Sequence, residues 1–179
     1  MWVCSCRPAT TLDSRHESLT GFVQQSQITL PYAVRKIYLW RDGQDPSTFT
    51  SFVNNMQFVP LSNVLRDKAE LDRMIGYEFE QENFWHQAWV PIFQNGGGDS
   101  LVVDLHGVHT GTKGQVIAFY HDWEHRSIVA PDLKTLLQGM LKYYEAFQAN
   151  TINEPHDISD FLPSMSISFK PSGTAAPLY

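Results

Sequence analysis

The chain has 179 residues, of which 42% are hydrophobic and 18% charged, with 13 basic and 19 acidic side chains and a net charge of -6. That size and apolar share suit one globular domain with a substantial core, and the acidic balance repels phosphate backbones, which disfavours direct binding of nucleic acid. No apolar run reaches the ~18 residues of a membrane span, and "MWVCSCRPATTLDSRHE" lacks the basic and apolar regions of an export signal, so a cytoplasmic protein with no membrane partner is expected.

Residues 1–13 read as an N-terminal tail, and Cys4 and Cys6, one residue apart, fit neither a disulfide framework nor a zinc knuckle. In "DSRHESLTGFVQQSQITLP", Leu19, Phe22 and Val23 recur at helical spacing after a cap at Asp13 or Ser14, so a short helix ends before Ile28. "LPYAVRKIYLWRDGQ" predicts a second helix, opened by Pro31, with Val34, Ile37, Tyr38 and Arg41 on one face and Gly43 as its left-handed terminator. "MQFVPL" reads as a short strand. Ser62 then caps a helix to about Ile75, with Val64, Leu71 and Ile75 inward and "RDKAELDR" mostly solvated. "EFEQENFWHQ" follows neither period and is expected to be a loop, while Trp40, Trp85 and Trp89 are expected in the core.

From Ala88 four apolar runs, "AWVPIF", "SLVVDL", "QVIAFYH" and "RSIVAP", are rich in β-branched and aromatic residues and separated by glycine-bearing turns, which predicts an antiparallel meander. Pro131 opens a long helix with Leu133, Leu136, Leu137, Met140, Leu141, Tyr144 and Phe147 on one stripe. The fold class expected is therefore α+β: a single domain over 14–150 in which a meander of about four to six strands packs with N-terminal helices and a long C-terminal helix. Residues 151–179 turn to proline, glycine and alanine and are expected to be a loosely attached, partly disordered extension.

The stretch "QNGGGDS" raises the question of phosphate binding. A phosphate-binding glycine loop joins a strand to a helix, whose N-terminal N–H groups hold the anion, whereas these glycines lead into a strand and carry no Walker lysine. The reading adopted is geometric: Gly96, Gly97 and Gly98 take positive φ, Asp99 accepts backbone N–H groups, and the missing side chains let another backbone pass close by.

The best catalytic candidates are Asp104, His106, His109, His121, Asp122 and His125, since imidazoles and carboxylates together bind zinc or move protons. If "SLVVDL" and "QVIAFYH" pair as a hairpin, Asp104 and His121 fall near one another. His106 and His109 lie in the connection between those strands, where a metal lacks a rigid frame, and surface histidines with turn-forming aspartates are the plainer reading. No G-x-S-x-G elbow or acyl-transfer cysteine is present, so no enzyme, metal or cofactor is expected, with a metal-binding or hydrolytic enzyme using His106, His109 and His121 kept as an alternative.

Several motifs occur together in order. Leu30 and Pro31 open a helix that runs to Trp40, followed by Asp42 and Gly43. A W-x-P-I strand supplies Trp89, Pro91 and Ile92; the turn Gly96 to Asp99 leads to Asp104 and Leu105; and Gly114, Gln115 and Val116 precede His121 and Asp122. From about Leu19 to Phe147 this resembles the SUKH superfamily, the Smi/Knr-like family, which includes many bacterial immunity proteins and a yeast cell-wall synthesis regulator. The resemblance implies a binding protein without catalytic residues that neutralises a cognate polymorphic or secretion-system effector toxin by occluding it. A regulatory or scaffold module that binds a cellular protein is the alternative. The acidic charge suits a basic, nuclease-like toxin. The expected contact residues are Asp42 and Asp45 in "RDGQD", Glu78, Glu80 and Glu82 in "EFEQENFW", and Asp122, Trp123 and Glu124 in "HDWEHR". For each there is a structural alternative: the aspartates closing turns, the glutamates forming a solvated face, Trp123 capping the core.

Overall fold

The structure, a computed structural model, describes residues 12–45, 47, 51–148, 158–163, 168 and 169. Among these the elements run α1 (Leu12–Ser26), α2 (Tyr32–Trp40), β1 (Gln57–Phe58), α3 (Leu61–Met74), β2 (Trp89–Gln94), β3 (Ser100–Asp104), β4 (Val116–Phe119), β5 (Arg126–Ala130), α4 (Leu133–Gln148), a 3-10 turn (Ile158–Phe161) and β6 (Ser168–Phe169). The strands form one antiparallel sheet in chain order, β1 to β6. This is the α+β meander expected. Among the described residues no helix is long and apolar enough to cross a membrane.

The strands read as unbroken apolar runs because both faces of the sheet are covered. On one face Val90, Ile92, Leu101, Val103, Val116, Ala118 and Ala130 share a core with Phe22 of α1, Val34, Ile37 and Tyr38 of α2, Val64 of α3, and Leu133, Leu136 and Met140 of α4. On the other, Trp89, Val102, Ile117, Phe119 and Ile128 pack with Trp85 and with partly buried Leu71, Phe79 and Phe84, so the 75–88 connection serves as the second cover. Pro91, which has no N–H to donate, lies at a register shift between Pro91 and Phe93 where the ladder is already interrupted.

Several expectations are corrected. Helix α2 stops at Trp40 with Arg41 extended, and Gly43 does not terminate it. At φ 77° Gly43 instead passes so close to Pro60 that a Cβ would lie 2.4 Å from the Pro60 nitrogen. Helix α3 begins at Leu61 after Pro60, and Ser62 is not its cap. The open Leu61 N–H donates to Asp42 Oδ1 at 2.8 Å, so the cap comes from the segment after α2. Ile75 is 39% exposed, whereas Lys68, expected in solvent, is buried. Trp40 lies outside the core, 54% exposed, while Trp85 and Trp89 are buried as expected.

Chain beyond Asn150 contributes to the fold. Ile158 is buried in the main core, the 3-10 turn packs on α4 with Leu162 over Gly139, and β6 pairs with β5 through Arg126↔Phe169 and Ser127↔Ser168. Cys4, Cys6 and the rest of the expected extension lie outside the described residues. Removing the Ile158 side chain by Ile158→Ala is expected to cost about 2–4 kcal/mol in urea unfolding, the range for a truncated core isoleucine. A loss under about 0.5 kcal/mol, the scale of a neutral surface substitution, would return the segment to the status of an appendage.

Candidate functional site

The sheet has two ends, and each is organised by one aspartate. At the end of β3 the Asp104 side chain, fully buried, accepts the N–H groups of His106 (3.0 Å), Gly107 (3.0 Å) and Val108 (2.7 Å) and the Gln115 amide (2.9 Å). One carboxylate thus shapes the β3–β4 connection and fastens it to β4. His86 and His109 lie nearby, and burial lowers the pKa of each, favouring neutral rings; His86 also packs on His106, with ring centroids 5.9 Å apart.

At the start of β3 stands the triple-glycine corner. Gly96 and Gly98 have positive φ and Gly97 does not. Asn95, rather than Asp99, organises the turn: its Oδ1 accepts the N–H of Gly97 at 2.8 Å and of Asp99 at 3.1 Å. Asp99 reaches across to the end of β4, where its Oδ1 accepts the His121 N–H at 3.2 Å and meets His121 Nδ1 at 2.9 Å. The group that the bare backbone admits is this imidazole, not another backbone, since a Cβ on Gly98 would lie 2.9 Å from the His121 ring. Burial pushes the Asp99 pKa up, but hydrogen bonds from the His121 side chain and backbone and from Asn95 outweigh it and hold the carboxyl below its ordinary 3.8. The same bond to Asp99 raises His121 above its ordinary 6.5.

The expected imidazole and carboxylate cluster is therefore divided. Asp104, with His106 and His109 after it, lies at one end of β3, and His121 with Asp122 at the other, about 16 Å away at ~3.3 Å per residue. Asp104 and His121 are not neighbours, and a site combining His106, His109 and His121 has no geometric basis. Asp99, His121 and Asp122 do offer one ligand atom each within 4.8 Å of one another on the exposed corner, where an ion has to compete with the Asp99–His121 hydrogen bond.

Two of the three expected contact segments are brought together by a residue that the sequence reading passed over. Arg126, at the head of β5, is fully buried. Its guanidinium donates to Phe84 O from Nε (3.0 Å) and Nη2 (2.9 Å), and to the carbonyls of Tyr120, Trp123 and His125 from Nη1. It also packs on the rings of Phe84 and Phe119, 4.2 and 4.5 Å from their centroids, and burial pushes its pKa down to about 10. The loop bearing Glu80 and Glu82 is thereby fixed to the turn bearing Asp122, Trp123 and Glu124, all exposed, with Trp123 58% exposed. Trp123 does not cap the core. The one available signal was a cation opening an otherwise apolar strand.

A second buried cation anchors the same loop. Lys68 Nζ pairs with Asp72 at 2.8 Å and donates to Gln87 O, and Asp72 accepts the Trp85 indole N–H at 2.8 Å. Lys68 follows Val64 by four residues, the spacing that places both on one helix face. The third segment stands apart. Asp42 is occupied by the α3 cap and Asp45 accepts the N–H and hydroxyl of Ser47, so both aspartates close local structure. Asp42 is also separated from the exposed Glu78 by the length of α3, about 20 Å at 1.5 Å per residue.

A family model described as "SMI1 / KNR4 family (SUKH-1)" matches residues 15–139 of the chain. The chain is also similar to a glucan synthesis regulatory protein of Neurospora crassa, 38% identical over 50 residues, which are 28% of this chain and 9% of that protein.

The two ends of the sheet yield two measurements. Since His121 is raised, its bond to Asp99 stabilises the fold fully below pH 6.5 and is lost as pH rises through the folded value; since Asp99 is lowered, its share is present above pH 3.8 and is lost as pH falls through the folded value. The stability difference between the native chain and Asp99→Asn is thus expected to peak between these limits, and the His121 ring resonance should titrate at lower pH in the variant. Equal His121 titration in both would remove the pairing. Arg126→Ala, which removes the guanidinium donor from the carbonyls of Phe84, Trp123 and His125 and its packing on two rings, is expected to cost about 3–5 kcal/mol, with Arg126→Lys recovering only part of it.

Proposed function

Because the chain belongs to the SMI1 / KNR4 family (SUKH-1), we propose that it is a protein-recognition module that performs no catalysis, and that its role is immunity: cytoplasmic capture and occlusion of a cognate toxin. The observation that carries this reading is that Arg126 ties the turn bearing exposed Asp122, Trp123 and Glu124 to the loop bearing exposed Glu80 and Glu82. An exposed tryptophan on a turn tied to an acidic loop has the composition of a binding hot spot, with the aromatic supplying affinity and the charges steering a basic partner. Both loops are held by hydrogen bonds to backbone carbonyls, so little ordering entropy is lost on association. A nuclease-like toxin, with a cleft built to attract phosphates, matches this charge.

The Neurospora crassa relative favours a second reading, a regulatory module that binds a cellular protein, resting on the 50 matched residues. The two separate on a genetic test. Under the first, co-expression with the product of the adjacent toxin gene restores growth and yields a stable complex. Under the second, no toxin is neutralised.

Trp123→Ala is expected to weaken that complex by about 30-fold or more, the cost of losing a hot-spot residue of about 2 kcal/mol, with the unfolding midpoint unchanged. Reversal of Glu80, Glu82 and Glu124 to lysine should slow association and flatten its dependence on salt. Absence of rescue, or a complex indifferent to Trp123→Ala, would discard the proposal.

A further inference from the structure

The opposite face of the sheet, under the helices, carries a feature of different chemistry. Between α2 and α4 runs an open groove of about 700 Å³. Its floor is apolar, formed by Ile37, Phe52 and Met140, and Phe52 is tied to α4 by a hydrogen bond from the Tyr144 hydroxyl to its carbonyl. Its rim exposes Tyr32 (67%), Trp40 (54%) and Leu141 (59%). The charged side chains among its lining residues are Lys36 and Lys134, both cationic and exposed, in a chain whose net charge is -6. The Lys36 ammonium lies 5.2 Å over the Tyr32 ring, so the positive charge is held at the groove edge.

We propose that this groove docks an acidic amphipathic helix from a partner protein. Three observations select that occupant. The walls are two helices and expose no strand edge, so a third helix fits by packing its apolar ridge between theirs. The lining spans Tyr32 to Trp40 on α2 and Lys134 to Tyr144 on α4, which matches an incoming helix of about three turns, some 16 Å long. Lysines on both walls, with no carboxylate among the lining residues, select acidic flanks on either side of the apolar ridge and reject basic ones. The exposed aromatic and aliphatic groups are the residue types that anchor such helices. This surface is distinct from the Trp123 patch in position and in sign of charge, so the chain has two faces that select opposite partners.

The test uses the full chain and a labelled, end-capped peptide of about three helical turns, with leucine and tryptophan at i, i+3, i+4 and i+7 and glutamate elsewhere, beside a peptide with lysine in place of glutamate. Fluorescence anisotropy is expected to show at least about 10-fold tighter binding of the acidic peptide, the effect of two lost or reversed charge contacts. Trp40→Ala should weaken it by a similar factor, and Trp123→Ala should leave it unchanged. Because Lys36 and Lys134 are exposed, the double variant Lys36→Glu/Lys134→Glu retains the fold and is expected to invert the preference. Equal affinity for both peptides, no binding of either, an unaltered preference in the double variant, or self-association of the chain through Trp40 would each overturn the proposal. So would binding of the native chain to anionic phosphatidylglycerol vesicles, with loss in the double variant and no peptide bound.

Discussion

Taking a guanidinium out of water costs several kcal/mol, and Arg126 recovers that cost from the backbone carbonyls of Phe84, Tyr120, Trp123 and His125 and from the faces of Phe84 and Phe119. Because these oxygens belong to the main chain, what Arg126 fixes is the path of two loops and not the identity of their exposed side chains. The cover over one face of the sheet depends on it, since Phe84 lies in the 75–88 connection and Trp85 beside it packs on Trp89 and Phe119. Lys68 completes the arrangement from α3 by holding Gln87 and Asp72.

The residues that make the family recognisable have a corresponding division of labour. Asp42 caps α3, Gly43 passes against Pro60, Asp104 organises the β3–β4 connection with Gln115, and Gly98 admits the His121 ring that Asp99 holds. Each is a point where the backbone needs a specific donor, acceptor or missing side chain. They identify the scaffold, whereas the exposed Trp123, Glu80 and Glu82 lie outside those constraints.

How far the sequence could be read follows from the same physics. The stripe Leu133, Leu136 and Met140 and the apolar runs of β2 to β5 were legible because periodicity and β-branched composition report burial directly. The two-residue β6 and the core position of Ile158 were not, since their burial depends on contacts with β5 and α4 rather than on a local pattern. Trp40 shares a helix with Val34 and Tyr38, and its place in that packed element suggests a core residue; its position instead faces the groove with Lys36. The histidine cluster looks coherent along the chain, but antiparallel pairing sets the end of β3, with Asp104, beside the start of β4, and so leaves His121, beyond the end of β4, at the opposite end of the sheet. Of the expected contact segments, the glutamate loop and the Trp123 turn converge through Arg126, while Asp42 and Asp45 are drawn into capping and turn closure.

The flanks of the sheet have their own consequence. Among the described residues the outermost strands, β1 and β6, pair over two residues each. A short border gives a passing extended chain few amide groups to zip onto, so copies crowded together have no long template along which to polymerise.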